Sequence, residues 1–164
     1  MGLYLKRLSV DDGKDIYEML QQIDVVENSF TNPVNGMSYN KYKNWLIEQD
    51  DWSREINLPD GYVGQTIYWL MLDDIPIGIG KIRHKLTESS RKEGGNIGYA
   101  IGKQWRGNGY GNKILELLIS EIKAMGIDET VLTVDKGNYA SKKVILNNGG
   151  KQFDENEFRW YFSF

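Results

Sequence analysis

The segment Ile97–Gly111 has the sequence IGYAIGKQWRGNGYG. Its opening residues, IGYAI, are typical of a buried strand. Three alternate glycines follow, at positions 107, 109 and 111, and after them apolar residues recur at helical spacing up to about Met125. The segment therefore predicts a strand, a glycine-rich turn and a helix start, and this junction decides the fold.

The turn Arg106–Gly111 has the properties of an anion-binding site. A helix start leaves about four backbone N–H groups unpaired, and the helix dipole adds roughly half a positive charge there. Glycines let the backbone approach a ligand closely because they carry no side chain. The turn is therefore predicted to bind a phosphate group.

A nucleotide-binding P-loop is the first alternative for this turn, since it requires the pattern G-x-x-x-x-G-K-[ST]. Gly102 and Gly107 have the required separation. Asn108 stands where the lysine should be, so this alternative is excluded.

A dinucleotide-binding turn, G-x-G-x-x-G, is the second alternative. The chain has G-x-G-x-G at Gly107, Gly109 and Gly111, and Asp135 at the end of the next predicted strand can mimic the acid that binds the ribose. An antiparallel hairpin predicted upstream, across Asp73-Asp74, counts against this fold. The alternative is weakened and stays open.

Outward from the turn, patterning predicts the remaining elements. Strands are predicted at Leu3–Leu8, Thr66–Leu72, Ile75–Arg83, Asn96–Ile101, Thr130–Val134, Lys151–Phe153 and Phe158–Phe164. Helices are predicted around Ile16–Ile23 and at Tyr39–Gln49 and Tyr139–Asn148, with Asp11 or Asp12 and Ser38 as caps. Loops are predicted at Asp24–Gly36, Asp50–Gly64 and Leu86–Gly95. The order predicts an α/β fold in one domain, residues 1–164: a mixed, mostly antiparallel sheet with a central βαβ unit and flanking helices.

Composition narrows the classes of function. The 164 residues include 18 glycines but only three prolines, no cysteine and one histidine, and the net charge is −3. The absence of cysteine excludes disulfides, thiolate nucleophiles and cysteine-based zinc sites, and a single histidine excludes a multi-histidine metal site. A mildly acidic chain is a poor general nucleic-acid binder. No apolar run approaches the length of a membrane span, and the N-terminus does not resemble a signal peptide, so we expect no membrane partner and a cytoplasmic location.

From Gly94 to Gly150 the chain resembles the GNAT superfamily of acyl-CoA N-acyltransferases. The pyrophosphate turn of that family, [RQ]-x-x-G-x-[GA], matches Arg106–Gly111. The family places a strand of the form I-G-Y-x-I before the turn, here Ile97–Ile101, and N-x-x-S after the next strand, here Asn138–Ser141. A poorly characterised branch of predicted acetyltransferases is also similar, through I-R-H, Gly-Gly and K-V-I-x-x-N-G-G, at 82–84, 94–95 and 143–150.

The resemblance implies a GNAT-like fold and the transfer of an acetyl group from acetyl-CoA to a primary amine, which attacks the thioester directly. Backbone N–H groups of the turn would hold the pyrophosphate, and a backbone N–H of the central strand would stabilise the oxyanion. The strands Asn96–Ile101 and Thr130–Val134 would splay apart, so that the first pairs with the pantetheine arm. The residues implied to bind the cofactor are Tyr99, Ala100, Ile101, Arg106, Gly107, Asn108, Gly109, Tyr110, Gly111, Asn112 and Asn138.

The resemblance does not supply a general base or a general acid. The positions where many family members carry a titratable side chain are occupied here by Asn96, Thr133 and Ile145. The remaining candidates are His84, at the end of a strand beside the central one, and Glu93, in the loop that enters it. Histidine commonly changes its charge near neutral pH, which suits a base.

The partners implied are acetyl-CoA and a small-molecule or peptide amine acceptor, with a homodimer left open and no nucleic acid, membrane or metal. A non-catalytic acyl-CoA-binding module on the same fold is the alternative function. Acidic pairs and aromatic side chains are candidates for attracting or enclosing a cationic acceptor: Asp50-Asp51, Asp73-Asp74, Trp45, Trp52, Tyr68 and Trp69.

Overall fold

The computed structural model describes residues 2–27 and 29–164. Its strands are β1 (Leu3–Arg7), β2 (Val26–Glu27), β3 (Phe30–Thr31), β4 (Gln65–Leu72), β5 (Ile75–Arg83), β6 (Ile97–Ile101), β7 (Val131–Asp135), β8 (Lys151–Glu155) and β9 (Arg159–Ser163). Its helices are α1 (Lys14–Leu20), α2 (Tyr39–Ser53), α3 (Glu88–Lys92), α4 (Tyr110–Ala124) and α5 (Tyr139–Asn147). The α/β prediction is confirmed.

The strands form two main sheets and one short hairpin. The first sheet has the order β1-β4-β5-β6 and the second has the order β7-β9-β8, and every ladder in both is antiparallel. β2 and β3 pair only with each other. Strands β6 and β7, which flank α4 in the chain, therefore lie in different sheets, as the predicted splaying requires.

Helix α4 packs on one face of the first sheet and joins the two sheets through a shared apolar core. Its side chains Ile114, Leu115 and Leu118 are fully buried, together with residues of β5, β6, β7 and β9. A Cβ atom on Gly80 of β5 would lie 2.7 Å from a methyl group of Leu118. The glycine is needed there because only a residue without a side chain lets the helix approach the strand so closely.

The opposite face of the first sheet is covered by α1 and α2. A second apolar core on this face contains Trp45 of α2, Trp69 of β4 and Phe30 of β3. A Cβ atom on Gly98 of β6 would lie 3.3 Å from the Phe30 ring. The β2–β3 hairpin is therefore seated directly against the central strand.

Three local predictions are corrected by the structure. The Asp24–Gly36 segment contains the β2–β3 hairpin, and the predicted loop Leu86–Gly95 contains α3, which the Thr87–Ser90 capping box stabilises. Asp12 does not cap α1, whose N-cap is Gly13. The Asp12 carboxylate is instead buried, bonded to Lys6 and accepting from the Trp69 indole N–H at 2.7 Å, because a buried charge needs partners.

Candidate functional site

A cleft opens between β6 and β7 beyond a clamp formed by Asn96. The Asn96 side chain accepts from the Val131 N–H at 2.7 Å and donates to the Glu129 carbonyl at 2.9 Å, while its own N–H donates to the Val131 carbonyl at 2.9 Å. Asn96 is 1% exposed. It holds the starts of the two strands together, and past it they diverge around a cleft of about 530 Å³.

The diverging strand β6 offers unpaired backbone groups to this cleft. The Gly102 N–H donates to the Ile77 carbonyl on β5, and successive residues of a strand direct their N–H groups to opposite sides. The N–H groups of Tyr99 and Ile101 therefore face away from β5, toward the cleft that β7 has vacated. An extended ligand can add to this edge as a strand would.

The glycine turn forms one end of the cleft. Gly107 and Gly109 adopt left-handed conformations, with φ of +79° and +81°, and a Cβ atom on either would have no atom within 4 Å. Gly109 is the N-cap of α4, so the first N–H groups of that helix face a turn without side chains. Both glycines, together with Tyr110, Gly111 and Asn112, line the cleft.

Arg106 ties the turn to its surroundings. Its Nε donates to the Ile101 carbonyl at 2.9 Å, and its Nη2 lies 2.6 Å from the Glu27 carboxylate on β2. Asn108 stabilises the turn from within, donating to the carbonyls of Trp105 and Arg106. Asn108 does not line the cleft, whereas Arg106 does.

The other wall of the cleft is built by β7 and the start of α5. Asn138 is the N-cap of α5 and accepts from the Ser141 N–H at 3.2 Å, so the N-x-x-S spacing is a helix cap in this chain. Both residues line the cleft. The structure thus brings the predicted cofactor-binding residues around one cleft, with Asn108 directly behind it.

The Tyr99 hydroxyl is a buried polar atom inside the cleft. It makes no hydrogen bond of good geometry to the described residues; burial raises its pKa, and the nearby Ser141 side chain partly offsets that shift. A buried hydroxyl without a partner is costly. The open turn, the free strand edge and this hydroxyl together suit a long ligand with an anionic end and amide groups along its length.

The two predicted catalytic side chains lie outside the cleft lining. His84 Nε2 is 2.8 Å from the Thr66 hydroxyl, and its Nδ1 is 3.7 Å from the Glu55 carboxylate. Glu93 is paired with Arg159 at 2.9 Å and precedes Gly94, which does line the cleft. Neither side chain lines the cleft, although Arg159 links the Glu93 carboxylate to Asp135 of β7. A role in proton transfer stays a prediction for both.

Three charged residues that the sequence analysis did not select do line the cleft: Glu27, Lys81 and Arg83. The Glu27 side chain is 15% exposed, and its Oε2 atom has no hydrogen-bond partner among the described residues. Lys81 and Arg83 are two residues apart on β5, so both lie on the same face of the strand. Two cations on one face of a largely apolar strand were the feature of the sequence that could have identified them.

The acidic pairs and aromatic residues considered for an acceptor pocket lie elsewhere. Asp50 and Asp51 pair with Arg54, and Asp73 in the β4–β5 turn accepts from the Gly2 N–H. Trp45, Tyr68 and Trp69 are core residues, and Trp52 packs on Tyr62. None of them lines the cleft, so a role in attracting or enclosing the acceptor stays a prediction for these residues.

No helix in residues 2–27 or 29–164 combines the length and apolar character needed to cross a membrane. No group of three or more metal-ligating side chains occurs in those same ranges.

Comparison with known proteins gives a family match over most of the chain. The profile of a family described as "Acetyltransferase (GNAT) domain" matches residues 2–151. A comparison with curated proteins finds no match.

Solved structures share the fold at low sequence identity. The RimL ribosomal L7/L12 alpha-N-protein acetyltransferase in complex with coenzyme A is similar at a TM-score of 0.74 and 13% identity, over 99% of this chain and 93% of that one. The ribosomal-protein-S5-alanine acetyltransferase from Vibrio fischeri gives 0.74 and 14%, over 100% and 93%. The Campylobacter jejuni N-acetyltransferase PseH in complex with acetyl coenzyme A gives 0.65 and 12%, over 99% and 98%.

Proposed function

The chain belongs to the acetyltransferase (GNAT) domain family, and from that premise we propose that it transfers the acetyl group of acetyl-CoA to a primary amine. One observation carries the proposal: around one cleft, a strand edge with free amides leads into a helix N-terminus that follows two glycines with open Cβ positions, Gly107 and Gly109. Two neighbours of the same fold were solved with coenzyme A or acetyl coenzyme A bound. The arrangement fits that ligand in length and in charge.

Each part of the cleft has a role in holding acetyl-CoA, which supplies the acetyl thioester. The N–H groups following Gly109 and the α4 dipole bind the pyrophosphate. The free edge of β6 pairs with the pantetheine amides, and the buried hydroxyl of Tyr99 gains a partner. Asn138, at the start of α5, stands on the opposite wall.

The acceptor approaches from the face of β6 that lies against the β2–β3 hairpin, because α4 closes the other face. The amine nitrogen forms a bond to the thioester carbon, the carbon–sulfur bond breaks, the thiolate takes up one proton and the attacking nitrogen loses one. A cleft-facing N–H of β6 stabilises the oxygen on which negative charge develops.

The proton of the attacking amine needs an acceptor within hydrogen-bond reach or one water away. Among the described residues that line the cleft, Glu27 is the one carboxylate, and its Oε2 is unpartnered. We therefore propose Glu27 ahead of His84 and Glu93 for this role.

Three single variants separate these candidates. Glu27→Gln keeps the shape of the side chain and removes its basicity, so we expect kcat to fall by about 100-fold, within the usual range for a lost general base. His84→Ala and Glu93→Gln are expected to stay within about twofold of the wild type. If Glu27→Gln instead raises only the KM for acetyl-CoA, Glu27 acts solely by holding Arg106.

The activity itself is tested by release of free CoA over a panel of primary amines. We expect acceptor-dependent release and mass-spectrometric detection of the acetylated amine. Acetyl-CoA binding without turnover on any amine would favour the alternative, a non-catalytic acyl-CoA-binding module. Binding of NAD but not of acetyl-CoA in a calorimetric titration would overturn the assignment of the cleft.

A further inference from the structure

Two cations stand side by side on the acceptor face of the cleft. Lys81 and Arg83 are two residues apart on β5, so their side chains share one face of the first sheet. This is the face of the β2–β3 hairpin: the Lys81 ammonium lies 4.7 Å from the centre of the Phe30 ring. Both residues line the cleft and both are partly buried.

No carboxylate in the described part of the chain neutralises either cation. Within the described residues no carboxylate lies within 4.0 Å of either one; the contacts found are with backbone carbonyls, Lys81 to Thr31 at 2.7 Å and Arg83 to Gly95 at 2.8 Å. Each carbonyl occupies one donor, which leaves two N–H groups on the lysine and four on the arginine.

The neighbouring arginines show the contrast. Arg106 is paired with Glu27 at 2.6 Å, and Arg159 is paired with both Asp135 and Glu93, at 2.8 and 2.9 Å. Arg106 lines the cleft and Arg159 does not, yet both are paired with carboxylates, whereas Lys81 and Arg83 line the cleft without one. This contrast indicates that Lys81 and Arg83 can bind an anion from outside the chain.

Burial makes this arrangement costly. Desolvation and the nearby Arg83 guanidinium lower the pKa of Lys81 to about 8, and desolvation lowers the pKa of Arg83 as well. Two partly desolvated charges of the same sign destabilise the folded state. A bound anion would offset that cost.

The position along the strand separates this pair from the cofactor phosphates. Gly78 pairs with Ile101, next to the glycine turn, whereas Lys81 pairs with Gly98 and the Arg83 N–H donates to the Asn96 carbonyl. At about 3.3 Å per residue, the cations lie roughly 10 to 17 Å from the turn end of β6. A phosphate held by the turn is therefore not the anion that they meet.

We propose that the acceptor amine carries an anionic oxygen group, a carboxylate or a phosphate ester, which Lys81 and Arg83 bind while the amine faces the thioester. The proposal rests on the acetyltransferase function proposed above and names the class of its acceptor. A fork of guanidinium donors beside an ammonium suits such a group because charge-assisted hydrogen bonds are the strong ones.

The test compares amines that differ only in the anion. Amino acids are assayed against their amides, and phosphoethanolamine against ethanolamine, with acetyl-CoA saturating. We expect kcat/KM for at least one anionic member to exceed that of its neutral partner by about tenfold or more, the size of a charge-assisted hydrogen bond. The two pairs distinguish a carboxylate from a phosphate.

Single variants then test whether Lys81 and Arg83 cause the preference for anionic amines. Lys81→Met and Arg83→Met are expected to abolish it while the acetyl-CoA Kd stays within about twofold, and Lys85→Met, at an exposed position outside the cleft lining, is expected to retain it.

The possible results distinguish failure of this inference from failure of the acetyltransferase function. Turnover of neutral amines as fast as of their anionic partners would overturn this inference and leave the acetyltransferase function standing. Loss of acetyl-CoA affinity in the Lys81 and Arg83 variants would also overturn it, by assigning the cations to the cofactor. No turnover of any amine would overturn the acetyltransferase function, and this inference with it.

Discussion

Gly109 combines a left-handed backbone with an open space where a side chain would be, and it lies at the first step of α4. We expect Gly109→Leu to weaken acetyl-CoA binding by at least about 100-fold, because the leucine would fill the space of the pyrophosphate and the lost contacts are charge-assisted. Isothermal titration calorimetry measures the change.

Gly126 provides the matched control, since it is also left-handed, with φ of +74°, also has an open Cβ position, and lies outside the cleft lining. Both leucine variants pay a similar backbone strain of about 1–2 kcal/mol. Only the Gly109 variant is expected to lose affinity for acetyl-CoA. Unchanged affinity in a folded Gly109→Leu protein would show that the turn does not bind the cofactor.

Lys81 is expected to cost the protein stability. Its pKa is about 8 in the folded state against about 10.4 in the unfolded chain. Below pH 8 the lysine is charged in both states, and the folded state bears the desolvation cost. We expect Lys81→Met to raise the free energy of unfolding at pH 7 by about 1–2 kcal/mol.

The pH dependence of this gain has a defined sign. Between pH 8 and about 10.4 the unfolded wild type holds a proton that the folded wild type has released, so its stability rises with pH and the advantage of Lys81→Met narrows. Urea unfolding at pH 7 and pH 10 measures both values, with Lys85→Met as the exposed control. A variant no more stable than the wild type at pH 7 would contradict the prediction.

At the scale of elements, the cleft exists because β6 and β7 are joined at one end only. Asn96 makes that junction with two side-chain hydrogen bonds and one backbone hydrogen bond. Its amide does not titrate, so it takes no part in proton transfer. The asparagine that stands here in place of a titratable residue thus joins β6 to β7.

Asn96→Ala tests the clamp. The variant leaves the buried Val131 N–H without its side-chain acceptor and the Glu129 carbonyl without its donor, so we expect a loss of about 2 kcal/mol in the free energy of unfolding. Chemical denaturation at pH 7 measures the loss, and acetyl-CoA affinity is expected to fall because the spacing of the strands is no longer fixed. A loss below about 0.5 kcal/mol would show that the backbone bond alone holds the strands.

At the scale of the whole molecule, one core connects the two sheets. Phe162 of β9 is fully buried in the cluster that also contains Leu118 of α4 and Ile82 of β5. Because the second sheet shares this core with the first, we propose that they unfold together, as one domain.

Phe162→Ala measures that coupling. We expect it to lower the free energy of unfolding by about 3–5 kcal/mol, the usual cost of truncating a buried phenylalanine. Trp69, in the first sheet, and Trp160, in the second, are expected to change their signals at the same denaturant concentration when each is the single tryptophan left of the five in the chain. Two separated transitions would show that the sheets are independent units.

The sequence by itself determined the order of the longer helices and strands, the glycine turn and the family. Those features depend on neighbours in the chain: the periodicity of side chains along a strand or helix, the conformational freedom of Gly107 and Gly109, and the capping of α2 by Ser38. Accordingly, the predicted turn residues, with Asn108 as the exception, surround one cleft in the structure.

The tertiary structure alone decided which charges face the cleft. In the sequence, Lys81 and Arg83 were part of an alternating strand and Glu27 lay in a predicted loop, yet all three line the cleft. His84 was a predicted catalytic residue, yet its side chain contacts Thr66 instead. Which face of a strand is covered by a helix and which by a hairpin depends on contacts between residues far apart in the chain. Local sequence patterns do not specify those long-range contacts, and the contacts separate the cofactor side of the cleft from the acceptor side.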